Sequence, residues 1–334
     1  MSRLPTSTPL RGMRLLCILS LAACHGTNGP VLTDPDAHGD TSTPSAWTLE
    51  PGNTTVDLLS VWAGSASQVI AVGISPGDAL NPGIIDTYDG TTWSPAPYLL
   101  NLYGVFGRTA VGDYGLEASV MYRNGTTWSS RDVIGTGELH GTWESSPGTY
   151  GVGDNGKLFY TSETGIPGSW GSLTTNTSVR LYAVWGATPS DVYAVGEGGV
   201  ILHNTNAGPG GSGTWVKTTH GSSNLRAIWG SSTNDIYIVG EAPAVILHST
   251  NGGASWTETT PPVTAIGLYG VGGRAANDVY IVGATGGVAL HSTGNDAWTT
   301  EPLPNTFDLF GLSAAPSGDL YAVGRRGTII HQAP

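Results

Sequence analysis

The chain has 334 residues and a formal charge of −12, a sign that argues against nucleic acid as a partner, because phosphate-backbone binding needs a basic face to release counterions. Only 11% of its residues are charged and it carries 50 glycines and 21 prolines, yet 11 tryptophans and 13 tyrosines supply more apolar bulk than a disordered chain holds. Lysine and glutamate are scarce while Gly, Thr, Ser, Val and Trp abound, which disfavours helices and predicts an all-β protein of short strands and tight turns.

Residues 1–23 contain Arg3, Arg11 and Arg14, then the apolar run Leu15 to Ala23, and lead into Leu21-Ala22-Ala23-Cys24. A positive flank, a short hydrophobic stretch and small residues before a cysteine resemble the signal peptide and lipobox of bacterial lipoproteins. The resemblance implies cleavage before Cys24, lipid on its sulfur and attachment to a membrane through that lipid. With His25 rather than Asp after the cysteine, the sorting rule of enteric bacteria implies a cell-envelope protein of the outer membrane. Translation starting at Met13 instead of Met1 fits the same pattern. The only other cysteine, Cys17, lies in the segment to be removed, so the mature chain is expected to have no internal disulfide. Residues 24–44 are polar and rich in Gly, Pro, Asp and Thr, without apolar period, and read as a flexible tether. No later apolar run approaches the ~20 residues needed to cross a bilayer.

From Trp47 onward the chain is similar to itself. Seven segments place a leucine four residues before a mostly aromatic position: LLSVW from Leu58, LYGVF from Leu102, LHGTW from Leu139, LYAVW from Leu181, LRAIW from Leu225, LYGVG from Leu268 and LFGLS from Leu309. Each is followed by a Val-Gly pair, at Val72, Val111, Val152, Val195, Val239, Val282 and Val323, which closes a second alternating strand. A third strand (VILHN, VILHS, VALHS and their relatives) leads through Asn-Gly or Asp-Gly hairpins to a fourth opened by tryptophan. Those tryptophans are Trp93, Trp128, Trp170, Trp215, Trp256 and Trp298, six for seven repeats, and Trp47 near the start supplies the missing one. The period from Trp47 to Trp298 is about 42 residues, within the range of four-stranded propeller blades. The expectation is a seven-bladed β-propeller over 45–334, its last blade closed by the N-terminal strand around Trp47 so that no sheet edge is left between the chain ends. A straight solenoid would leave Trp47 and the unfinished last repeat unexplained. Small residues at Ser60, Gly104, Gly141, Ala183, Ala227, Gly270 and Gly311 place the LYAVW-type strands innermost, where neighbours converge on the axis.

The combined pattern LxxVW, DVYAVG, GxILHST and GGxxW resembles the bacterial neuraminidase-repeat and photosystem II assembly-factor propellers, and the repeat lipoproteins of myxobacteria. The turn STNGGASW at 249–256 is close to the Asp-box of that group but has Asn251 where the family has Asp, and TYDGTTW at 87–93 keeps the Asp and lacks the Ser. Such boxes are structural hairpins, so the resemblance speaks for fold more than for function.

Candidate chemistry is sparse. His203, His248, His291 and His331 recur at one position of the third strand, with Tyr88, Tyr122 and Tyr160 in the comparable place earlier. Equivalent positions on successive blades radiate apart, so structural hydrogen bonding is expected rather than a metal cluster. Asp191, Asp235, Asp278 and Asp319 recur before the second strand and suit Asx turns; no DxDxDG run suggests calcium, and no cofactor is implied. A sialidase needs clustered arginines, or a glycosidase two carboxylates ~5–9 Å apart, whereas Arg108, Arg180, Arg226, Arg274, Arg325 and Arg326 fall at non-equivalent positions. HExxH and P-loop motifs are absent.

Variation concentrates instead in the loops from second to third strand, and loops on a rigid scaffold are where binding usually sits. These nominate Asp113, Tyr114, Asp154, Glu197, Glu241, Arg325 and Arg326 for ligand contact, with the insertion around Asp78 overhanging the channel. The alternative is that they are merely solvated turns. The sequence thus leads to an envelope-anchored, non-catalytic binding or assembly scaffold with a protein or glycan partner. A sialidase-like or lyase-like enzyme acting on carbohydrate at the channel mouth and a surface adhesin are the other readings.

Overall fold

The computed structural model describes residues 46–75, 83–114, 117–145, 148–162, 170–206, 213–264 and 267–334. Cys24, the tether and Asp78 lie outside them. The strands form seven antiparallel four-stranded sheets. Their innermost strands are Asp57–Ser65, Asn101–Phe106, Leu139–Ser145, Leu181–Thr188, Asn224–Gly230, Leu268–Ala275 and Leu309–Ala314. Each innermost strand packs on the next, and the seventh packs on the first, so the sheets form a closed ring rather than a solenoid.

Convergence at the axis explains the small residues. A Cβ on Gly270 would stand 3.1 Å from the Leu312 backbone nitrogen in blade seven, and one on Gly311 would stand 3.1 Å from the Ser60 Cα in blade one. Where a serine fits, it ties blades together: Val105 N–H donates to Ser60 Oγ (3.3 Å) and Ala63 N–H to Ser313 Oγ (3.1 Å).

The ring is shut as expected. Blade seven takes its outermost strand from the N-terminal side, Thr48 pairing with His331 and Leu49 with Ile330. Trp47 is 4% exposed and meets Tyr280 of blade six edge-on at 6.1 Å. The same contact recurs around the ring, the outer-strand tryptophan of one blade edge-on to the second-strand tyrosine of the blade before: Trp93 with Tyr321, Trp215 with Tyr150, Trp298 with Tyr237. Each such pair adds about 1 kcal/mol to the area it buries.

The recurring histidines and aspartates belong to one device. Nε2 of His203, His248, His291 and His331 lies 2.6–2.8 Å from Oδ1 of Asp191, Asp235, Asp278 and Asp319 respectively. Each imidazole is also stacked on the neighbouring second-strand tyrosine, at 3.8 Å for Tyr193–His203 and 4.0 Å for Tyr237–His248. The aspartates therefore hold rings as well as turns, and each histidine is tied to an aspartate of its own blade. One correction concerns Tyr88. The register sets Thr87, not Tyr88, opposite Ile70 in the place held elsewhere by histidine, because Tyr88 lies one residue further along and stacks on Trp93 of its own blade at 5.1 Å.

Candidate functional site

All seven innermost strands carry a register irregularity at the same point, between a leucine and the small residue two positions later. The residue between them is a β-bulge, which bends the strand and re-aims a side chain. The bulged residues are Leu59, Tyr103, His140, Tyr182, Arg226, Tyr269 and Phe310, and none is more than 9% exposed.

They touch in sequence around the axis. Tyr103 and His140 lie 5.5 Å apart between ring centroids and His140 and Tyr182 5.7 Å apart, while the Arg226 guanidinium lies 3.7 Å over the Tyr182 ring. Arg226 Nη2 donates to Glu241 Oε1, whose other oxygen accepts from Tyr269 O–H at 2.6 Å. Tyr269 meets Phe310 at 5.8 Å, and Phe310, Leu59 and Tyr103 share one apolar cluster with Ile74 and Ala284. The mouth of the ring is thus floored by side chains, polar over blades three to five and apolar over blades six, seven, one and two.

Two sets of loops rise around this floor. The second-to-third-strand connections include the short 3-10 turns Asp154–Gly156, Glu197–Gly199 and Arg325–Gly327. They are tied to the connections entering the innermost strands by Asp154 N–H to Glu138 C=O, Glu197 N–H to Arg180 C=O and Arg325 N–H to Asp308 C=O, each 2.9–3.0 Å.

Asp154 is the centre of the polar arc. Its Oδ1 accepts from Arg180 Nε at 2.5 Å and faces His140 Nε2 at 3.0 Å, and its Oδ2 accepts from Glu138 N–H at 3.3 Å. Burial alone would raise its pKa, but the hydrogen bonds and charges of His140 and Arg180 outweigh that and hold it well below the ordinary carboxylate range. Burial pushes His140 down, against the pull of Asp154, and so favours the neutral imidazole. Lys157 is also pushed down by burial, with Asp154 opposing. Burial raises Tyr182 to about 12, the Arg226 charge opposing and Glu197 adding to the rise.

Donor atoms of Glu138, His140 and Asp154 come within 4.8 Å of one another, a spacing a cation could use. Arg180 already occupies the cationic place beside Asp154, however, and the neighbouring Lys157 adds a second positive charge. The cluster as built is charge-balanced and suits hydrogen-bond exchange with a polar ligand better than capture of a divalent ion.

The seven nominated residues separate into levels. Asp154 and Glu197 lie at the wall of the polar arc, Glu197 accepting from Tyr182 O–H at 3.1 Å and from Arg180 N–H at 3.4 Å. Arg325 and Arg326 are exposed on blade seven; Arg325 pairs with Asp308 at 3.0 Å, and the Arg326 guanidinium stands 5.5 Å over Phe307. Asp113 and Glu241 are buried, at 3% and 7% exposure, and bond internally, Asp113 to Asn101 and Glu241 to Arg226 and Tyr269. They shape the floor rather than face solvent. The Tyr114 side chain lies outside the described residues. Glu138, His140 and Tyr182 were not nominated from the sequence, and Arg180 and Arg226 were weighed there only as scattered arginines. For His140, Tyr182 and Arg226 the position after each inner-strand leucine carried a signal, because it changes among Leu, Tyr, His, Arg and Phe between a leucine and a small residue.

No family model matches the chain, and no curated protein matches it. Solved structures do. YCF48 bound to a D1 peptide is 16% identical over 88% of this chain and 96% of its own, with a TM-score of 0.64. YCF48 from Cyanidioschyzon merolae is 16% identical over 87% and 99%, with a TM-score of 0.65. A streptogramin B lyase is 10% identical over 86% and 97%, with a TM-score of 0.66. What is shared is the propeller. At such identities the likeness carries the fold and leaves the site to its own chemistry.

Proposed function

We propose that this protein is an envelope-anchored binding or assembly scaffold, held to the membrane through lipid at Cys24, that carries a protein or glycan partner on the loop face around the axis. The observation that supports this most is the floor itself. Seven bulged side chains close the mouth, and the charged groups above them pair with one another, so a partner meets a preformed surface of donors and acceptors. Pre-organisation of this kind lowers the ordering cost of binding. That one similar fold, YCF48, has been solved with a peptide agrees with a protein partner.

The test is a pull-down from detergent-solubilised envelopes with the full-length lipoprotein against a variant carrying Asp154→Asn, Arg325→Glu and Arg326→Glu. The scaffold reading expects a partner retained by the natural chain and lost by the variant. Recovery of the same material with both would overturn it. Labelling with a palmitate analogue, absent in Cys24→Ser, checks the anchor. Protease accessibility on intact cells separates a surface adhesin from an inward-facing scaffold.

A second reading, an enzyme acting on carbohydrate, draws on the contact of His140 with Asp154 and Glu138 beside Lys157. Turnover of sialylated or uronic glycans that Asp154→Asn abolishes would favour it.

A further inference from the structure

Third strands pack one face on the preceding blade, and the position opposite the second-strand residue just before the Val-Gly pair (alanine, glycine or isoleucine) is apolar in six blades: Met121, Phe159, Leu202, Leu247, Leu290 and Ile330. In blade one that position is Asp86, opposite Ala71. It is completely buried, and neither carboxylate oxygen accepts a well-formed hydrogen bond.

The face it shares belongs to the junction of the first and last blades. Ala71, Ile84 and Trp93 of blade one form a single cluster there with Tyr321, Val323 and Ile329 of blade seven. The same two blades are where the circle is shut, by a two-residue outer strand and by Asn53 Nδ2 donating to Trp93 C=O at 2.7 Å. Ionisable residues on the strands packed around Asp86 are Asp57, Tyr88, Tyr98, Tyr321 and His331. None contributes to its titration. His331 is committed to Asp319 and Glu50, and those strands carry no lysine or arginine. Burial therefore dominates and pushes Asp86 up to about 7, with the backbone N–H groups of Thr87 and Ser94 offsetting part of the effect.

We infer that Asp86 makes the seating of blade one against blade seven proton-dependent: the junction is tight while this side chain is a neutral acid and loosens as it ionises. The folded-state value lies above the ordinary 3.8, so the folded junction binds the proton more tightly than the opened one. Closure is then strongest at low pH and weakens as pH rises towards 7, after which no further loss follows. Linkage between those two values makes opening of this junction about tenfold more favourable at pH 8 than at pH 6.

Hydrogen exchange of the full chain, read by mass spectrometry and corrected for the intrinsic pH dependence of amide exchange, tests this. Protection in 68–74, 83–98 and 320–332 should fall about tenfold from pH 6 to pH 8, as linkage requires, with blade four unchanged. Asp86→Leu, the residue at this position in three other blades, and the near-isosteric Asp86→Asn should each abolish the fall. Equal protection at both pH values in the natural chain, a fall spread evenly over all blades, or a fall that persists in the Asn variant would overturn the inference. Should Asp86→Leu overpack the junction, the Asn variant still decides.

Discussion

His248 in blade five and Asp296 in the outer hairpin of blade six are joined by a 2.7 Å hydrogen bond from Nδ1 to Oδ1. The other ring nitrogen is held 2.8 Å from Asp235 within blade five, so a single imidazolium bridges two carboxylates and two blades. Burial opposes its charge, but Asp235 and Asp296 together raise its pKa above the ordinary histidine value. A raised folded-state pKa contributes stability that is fully present below about pH 6.5 and is lost as pH rises through the folded value. His248→Gln should therefore cost about 2 kcal/mol at pH 5.5 and clearly less at pH 8.5, measured by urea denaturation. Equal cost at both would show that the bridge is not charged.

Arg226 and Glu241 form a buried pair in the floor of the mouth, with Arg226 Nε and Nη1 left without hydrogen-bond partners. Breaking such a pair strands a desolvated charge, so Arg226→Met and Glu241→Leu should each destabilise the fold by about 3–5 kcal/mol. The double variant should recover most of that loss, because removing both charges removes the desolvation cost as well. A double-mutant cycle showing simple additivity would mean that the two side chains do not depend on each other.

Closure by the N-terminal strand should be visible as stability. Trp47 is nearly fully buried beside Tyr280, Leu309 and Ile330. Trp47→Ala is expected to cost about 3–5 kcal/mol. The affected amides should be those of blades six and seven rather than of blade three, as hydrogen exchange would show.

Blade number and closure were legible because the leucines, the Val-Gly pairs and the tryptophans repeat, and because six tryptophans for seven repeats pointed to Trp47. The partnership of Asp191 with His203 was not, although both recurrences were visible. It spans two strands, and only their pairing register makes it a hydrogen bond. The floor of the mouth was hidden for a related reason: alternation treats Arg226 as an ordinary strand residue, whereas a bulge removes it from the ladder and brings it to Tyr182. Asp86 was hidden by the one-residue offset that had set Tyr88 in the histidine column.

The three 3-10 turns on the loop face also make opposite predictions for adjacent positions. Their middle residues, Asn155, Gly198 and Arg326, all have positive φ, at 59°, 63° and 57°, and Gly198 has nothing within 4 Å of where a Cβ would stand. Gly198→Asn should then change stability by less than about 1 kcal/mol, the αL strain being offset by the entropy that glycine loses on folding. The third residues, Gly156, Gly199 and Gly327, also have positive φ, but their Cβ sites meet backbone oxygens of Thr177, His220 and Thr54 at 2.0–2.2 Å. Gly199→Ala must push the strand entry of blade five aside, and it should cost more than about 2 kcal/mol and weaken any partner bound at Glu197. If thermal denaturation placed both variants within experimental error of the natural chain, the close approach of these turns to the neighbouring strand entries would not be what holds the loop face in shape.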